Sequence, residues 1–184
     1  HNSKNAESHY LLGKAWTSLK KKKKAIALYQ QAVKLQQDFW EAHHDLGDAL
    51  AKQEKWQAAI SCYQRAIALN PQFSWSYNNL GDVLLKSQQW DKAVAVFEKA
   101  IALNPEFAWS HYNLGEALVG CKQWEKAVEA YRRALAIKPD LPEIEAKIYQ
   151  ILNFKVKTEL SSAFECYCRA IEQNPTDIES YRKA

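Results

Sequence analysis

The chain has 184 residues, 47% of them hydrophobic and 25% charged, which is the ordinary range of a soluble protein of one or at most two domains with a sizeable core. No apolar run approaches the roughly 20 residues needed to span a bilayer, and the four cysteines, Cys62, Cys121, Cys166 and Cys168, lack the spacing of a metal site or a disulfide framework. They read as structural thiols of a reducing compartment, which places the protein in the cytoplasm. The net charge of +4 is uneven: eight lysines against Glu7 and Asp38 crowd residues 1–39, which leaves residues 40–184 slightly acidic.

The sequence opens on His1 and holds no methionine, as an excised segment would. From there one 34-residue pattern recurs. The first copy, 6–39, carries Leu12-Gly13, a run of five lysines from Lys20 to Lys24, then Ala25 and Ala32. The second, 40–73, carries Leu46-Gly47, Ala59, Ala66 and a closing Asn70-Pro71. The third, 74–107, repeats these marks as Leu80-Gly81, Ala93, Ala100 and Asn104-Pro105, and the fourth, 108–141, as Leu114-Gly115, Ala127, Ala134 and Lys138-Pro139. Between the marks apolar residues fall at helical spacing, as in "AVAVFEKAIAL" from Ala93, and each proline stops the second helix. Each copy is therefore predicted to be two helices and two turns. The copies depart from the pattern at Gln37, where a proline is due, and over 142–177, where Tyr149 replaces the glycine and two extra residues precede Ala163, Tyr167, Ala170 and Pro175. Residues 178–184 look like the opening of a sixth copy without a polar cap, so the natural protein is expected to continue past Ala184.

Tyr77, Leu80, Gly81, Leu84, Ala93, Phe97, Ala100 and Pro105 of the third copy resemble the signature of the tetratricopeptide repeat. The resemblance covers most of the chain and implies an all-α fold: one domain over 1–184, a right-handed α-solenoid of stacked helix pairs. Glycine in the first helix and alanine in the second let the two approach closely. The fifth pair, with Tyr149 in the glycine's place, is expected to pack less closely or at a changed angle.

Numbering each copy from its start, the resemblance places positions 2, 5, 6, 9 and 13 of the first helix on a concave groove and positions 4, 7, 8 and 11 against the second helix. Trp75 and Trp109 stand at position 2. They either anchor a ligand or fold down against the preceding repeat and seal the stack. Trp16, Trp56, Trp90 and Trp124 fall at structural positions, and Trp40 lies near a helix boundary. The other groove residues are His44, Asp45 and Asp48 in the second copy, Asn78, Asn79 and Asp82 in the third, and Tyr112, Asn113 and Glu116 in the fourth. Asn79 and Asn113 are similar to the asparagine ladder of the tetratricopeptide region of O-linked N-acetylglucosamine transferases, where an amide donates to and accepts from the backbone of an extended peptide. Acids outnumber lysines in the groove, which favours a neutral or basic ligand and argues against a clamp for an acidic terminus. Asp48 with Lys52 and Asp82 with Lys86 have the spacing of ion pairs along a helix.

The lysine run reads as a solvated turn, since it lacks the interleaved aromatics of a nucleic-acid site. His9, His43 and His111 stand at position 4, where the family carries packed aromatics. No catalytic, cofactor or metal motif is present. The function implied is a non-catalytic module that holds an extended peptide or partner helix, without specific nucleic-acid or membrane binding. The alternative is the substrate-recruiting arm of a larger, bacterial-type transferase of glycosyl, sulfuryl or methyl groups. A third reading is end-to-end self-association through the uncapped last repeat.

Overall fold

The structure is a computed structural model that describes residues 2–141 and 143–173. Among these residues every regular element is an α-helix: α1 (Asn2–Ser18), α2 (Lys22–Leu35), α3 (Trp40–Ala51), α4 (Trp56–Leu69), α5 (Ser74–Lys86), α6 (Trp90–Leu103), α7 (Ala108–Gly120), α8 (Trp124–Ile137) and α9 (Ile144–Gln173). By their contacts the described residues group into two bodies, 2–141 and 143–173. Pro175 and the opening of a sixth copy at 178–184 lie outside the described residues.

In the first body each helix packs on the next in the chain, so α1 to α8 form four antiparallel pairs. The second helices bury a narrow stripe: Ala59, Ile60, Tyr63 and Ala66 in α4, and Ala93, Phe97 and Ala100 in α6. This is the spacing that brings residues to one helical face. The turn inside each pair is built without glycine. Lys20, Glu54, Gln88 and Lys122, one 34-residue step apart, all take left-handed backbone, with φ of 57° to 59°. At Gln88 the turn is closed by Gln89 N–H donating to the Leu84 carbonyl and Gln88 N–H to the Leu85 carbonyl, both 2.9 Å. Those bonds satisfy carbonyls that the end of α5 would otherwise leave bare.

Between pairs the chain extends at Gln36, Asn70, Asn104 and Lys138, with φ near −140°. A following proline excludes the helical region for the residue before it. Gln36 adopts the same conformation ahead of Gln37, so at this turn the stack sets the geometry and proline elsewhere only reinforces it.

The glycines mark where helices touch. A Cβ on Gly81 would stand 2.5 Å from the Phe97 ring, and Gly13, Gly47 and Gly115 meet Tyr29, Tyr63 and Tyr131 in the same way. These four rings are fully or almost fully buried. The Trp90 ring closes over Gly120 at the end of α7, and Lys86 at the end of α5 stands over the Trp56 ring. Two of the tryptophans that open second helices thus reach across to the following repeat. The first helices also touch one another, α3 with α5 and α5 with α7, and make a continuous wall.

Of the fifth copy, the described residues 143–173 differ from the expected helix pair. Ile144–Gln173 is one uninterrupted helix of 30 residues. The next 34-residue step after Lys122 falls on Val156. The place five residues before Ala163, the spacing of Gln88 from Ala93, falls on Thr158, so both ways of counting meet a β-branched residue. A β-branched side chain is a steric outlier in left-handed backbone, and no glycine or proline lies between Ile144 and Gln173. The helix therefore runs through the place where its predecessors turn.

Candidate peptide-binding groove

The wall of first helices carries polar side chains whose roles are set by what lies behind them. At position 9 stand Asp48, Asp82 and Glu116. Behind Asp48 the buried Tyr63 donates its hydroxyl to Oδ1 at 2.6 Å, and behind Glu116 the buried Tyr131 does the same. Burial and the neighbouring carboxylate both push these phenols well above their ordinary pKa, so they remain donors. Behind Asp82 lies Phe97, which has no hydroxyl. Asp82 instead accepts from Lys86 at 2.7 Å, and its side chain is 43% exposed. The ion pair read from the sequence is present here. Asp48 takes a different course: its Oδ1 also accepts from Asn79 Nδ2 at 2.7 Å, and this bond ties the third repeat to the second.

Several residues expected to face a ligand face a neighbour instead. Asn78 is 6% exposed; its amide donates to the Ser74 carbonyl and its Oδ1 accepts from the Ser110 hydroxyl at 2.5 Å. His44 shares a hydrogen bond of 2.9 Å between Nδ1 and Ser76 Oγ, and its ring stands edge-on to Tyr63 and Phe73. Both occupy position 5, and both reach position 3 of the next repeat. Their burial follows from the stacking of adjacent repeats, because that contact exists only once the pairs are superposed. At position 4, His43 and His111 likewise join the carbonyls of Gln37 and Pro105 in the preceding turn. Burial lowers the pKa of His43, against the hydrogen bond to the Gln37 carbonyl.

The two indoles are open. Trp75 is 48% exposed with its ring against Phe107, and Trp109 is 41% exposed with its ring edge-on to Tyr112. Each is partly seated on an aromatic neighbour and partly presented to solvent. Tyr112 leans in turn on Tyr131. Asn113 is half-buried and makes no side-chain hydrogen bond among the described residues. Asp45 is also half-buried; loss of hydration raises its pKa although the Tyr10 hydroxyl bonds to it.

One feature of the wall is unmarked in the groove positions. A cavity of about 450 Å³ between the first two repeats is lined by Lys14, Lys20, Lys22 and Lys52 together with Asp45 and Asp48. Lys20 lies in the turn and Lys22 opens α2, and the Lys22 ammonium reaches the Lys52 carbonyl at 3.4 Å. Only the pairing of α2 with α3 brings these two lysines of the run to the cavity. A second cavity, about 230 Å³, holds Asp48, Tyr63, Asn79, Asp82 and Lys86. His44, Asp45 and Asp48 bring potential metal-ligating atoms within 4.8 Å of one another, yet hydrogen bonds to Ser76, Tyr10, Tyr63 and Asn79 already hold all three. Away from the wall, Val94, Ile101, Leu114, Leu118, Arg132 and Arg133 line a cavity of about 760 Å³ between α6, α7 and α8. Burial pushes the Cys62 thiol up to about 11, in keeping with a structural role.

Stacked helix pairs repeating every 34 residues, joined through their first helices, define an α-solenoid with a side-chain-bearing wall, the architecture of a protein-interaction module. Models of the TPR repeat match residues 17–54, 47–88 and 81–120, and a tetratricopeptide repeat model matches 108–141. The chain belongs to the tetratricopeptide repeat family. Among solved structures it is similar to MamA, at 33% identity over 78% of this chain and 81% of that one, with a TM-score of 0.71. It is also similar in fold to YrrB, described as a TPR protein with an unusual peptide-binding site, at 19% identity over 92% and 87% of the two chains and a TM-score of 0.74. The first TPR of Spaghetti (RPAP3), bound to the HSP90 peptide SRMEEVD, aligns at 21% identity over 64% of this chain and 93% of that one, with a TM-score of 0.62. A comparison with curated proteins gave no match. Among the described residues no helix is long and apolar enough to cross a membrane.

Proposed function

We propose that the chain holds an extended peptide along the wall of α3, α5 and α7, with Trp75 and Trp109 as apolar anchors and Asn113 as the amide that pairs with the peptide backbone. The carrying observation is the exposure of two large indoles at equivalent places in adjacent repeats, beside an amide with no partner among the described residues. Aromatic anchors of this kind dominate binding energy when a ligand covers them. The peptide-bound state of the RPAP3 repeat domain supports the use of this fold for such a ligand. Asn79 contributes through its side-chain carbonyl, since its amide nitrogen is turned to Asp48 and Tyr63. The half-exposed Asp82 favours a neutral or basic residue at the centre of the peptide. Peptides selected by display on the protein, measured by fluorescence polarisation, test the reading. Trp75→Ala with Trp109→Ala should weaken binding by about tenfold or more, as loss of two anchors implies. Affinity unchanged in that double variant, with the fold intact by circular dichroism, would sink the groove assignment.

A further inference from the structure

The 30-residue α9 carries the sequence marks of a helix pair in the form of one helix. Its first half contains position 8, Tyr149, and position 11, Leu152. In the earlier repeats position 11 is covered by the repeat's own second helix: Leu50, Leu84 and Leu118 are 6%, 3% and 4% exposed. Leu152 is 44% exposed and Tyr149 66%. In the second half Ala163, Tyr167 and Ala170 match the positions that make a second helix fit its partner, while Leu160 and Phe164 are 64% and 67% exposed. Tyr149, Leu152, Val156, Leu160 and Phe164 follow one another at steps of three and four residues, so they form a single apolar stripe. A straight helix cannot fold onto itself. The two complementary halves therefore meet only if they come from different molecules.

We propose that two copies of this chain exchange the second half of α9, so that residues 157–173 of each lie on residues 144–156 of the other. The occupant is a second copy because each chain carries both halves of the match, and the resulting contact is self-complementary about a two-fold axis. The exchange goes beyond the peptide-binding reading and does not depend on it. Its hinge is Val156, which opposes the left-handed turn made by Lys20, Glu54, Gln88 and Lys122 in the folded-back repeats.

Sedimentation and light scattering of the whole chain over a concentration series test the exchange. The wild type should form dimers. Val156→Gly, which permits the turn, should shift the population toward monomer by closing the pair within one chain. Phe164→Glu should weaken the dimer by about tenfold or more, the usual effect of burying an unpaired charge, and Leu160→Glu repeats the test at a second place on the stripe. Circular dichroism checks that residues 1–141 remain folded in each variant. A wild type that stays monomeric at every concentration overturns the proposal. So does a dimer unmoved by Val156→Gly, because a contact without exchange gains nothing from a turn.

Discussion

Asp48, Asp82 and Glu116 occupy the same position in three repeats and do different things because of one oxygen atom behind them. Tyr63 and Tyr131 engage the acids they face, whereas Phe97 leaves Asp82 to Lys86 and to solvent. Asp45 has no such tie to a buried tyrosine behind it, and loss of hydration lifts its pKa above that of an ordinary carboxyl. A carboxyl whose pKa is higher in the folded than in the unfolded chain favours the fold while protonated. That contribution is lost as pH rises through the folded pKa. Asp45→Asn should therefore melt at a higher temperature than wild type near neutral pH, with the Tyr10 hydroxyl now donating to the amide carbonyl. The gap should close as pH falls below the ordinary carboxylate range. Thermal melts across pH would show it, and a gap that widens in acid would contradict the assignment.

At the scale of the helix pair, two local features carry the geometry. Left-handed backbone costs an ordinary residue roughly 1–2 kcal/mol, part of which glycine's larger unfolded entropy offsets. Gln88, exposed at φ 58°, is such a residue, and Gln88→Gly should raise unfolding free energy in urea by about 0.5–1 kcal/mol. The second feature is the contact of Gly81 with the buried Phe97 ring. Gly81→Leu forces that ring or the α5 backbone aside and should cost about 1–3 kcal/mol, read as a lower melting temperature. An unchanged melting temperature would mean that the helices are less closely seated than the 2.5 Å spacing implies.

Over the whole molecule, stability in a solenoid is close to a sum of repeats and the interfaces between them. The interface of the third and fourth repeats contains the Ser110 hydroxyl donated to the buried Asn78 carbonyl oxygen. Ser110→Ala leaves that oxygen buried without its donor and should cost about 1–3 kcal/mol. Hydrogen exchange should show the loss first in α7 and α8, with α3 and α4 less affected. Uniform loss of protection across all eight helices would show that the stack unfolds as one cooperative block.

The 34-residue recurrence made the four helix pairs and their close contacts legible, because helical period, small residues and stop signals are local properties of a chain. The tryptophans opening second helices were legible for the same reason. Adjacent residues Asn78 and Asn79 were not separable by type: one is buried and the other half-buried because the next repeat lies over only one of them. Lys20 and Lys22 joined Lys14 and Lys52 only through packing between repeats. Val156 was in plain view at the turning position, and its weight emerged when four left-handed residues were seen at the same step. Sequence alone thus determined what each pair is, since that depends on neighbours along the chain. Tertiary structure alone decided which side chains remain on the wall, since hydrogen bonds and burial between repeats exist only when the pairs are stacked.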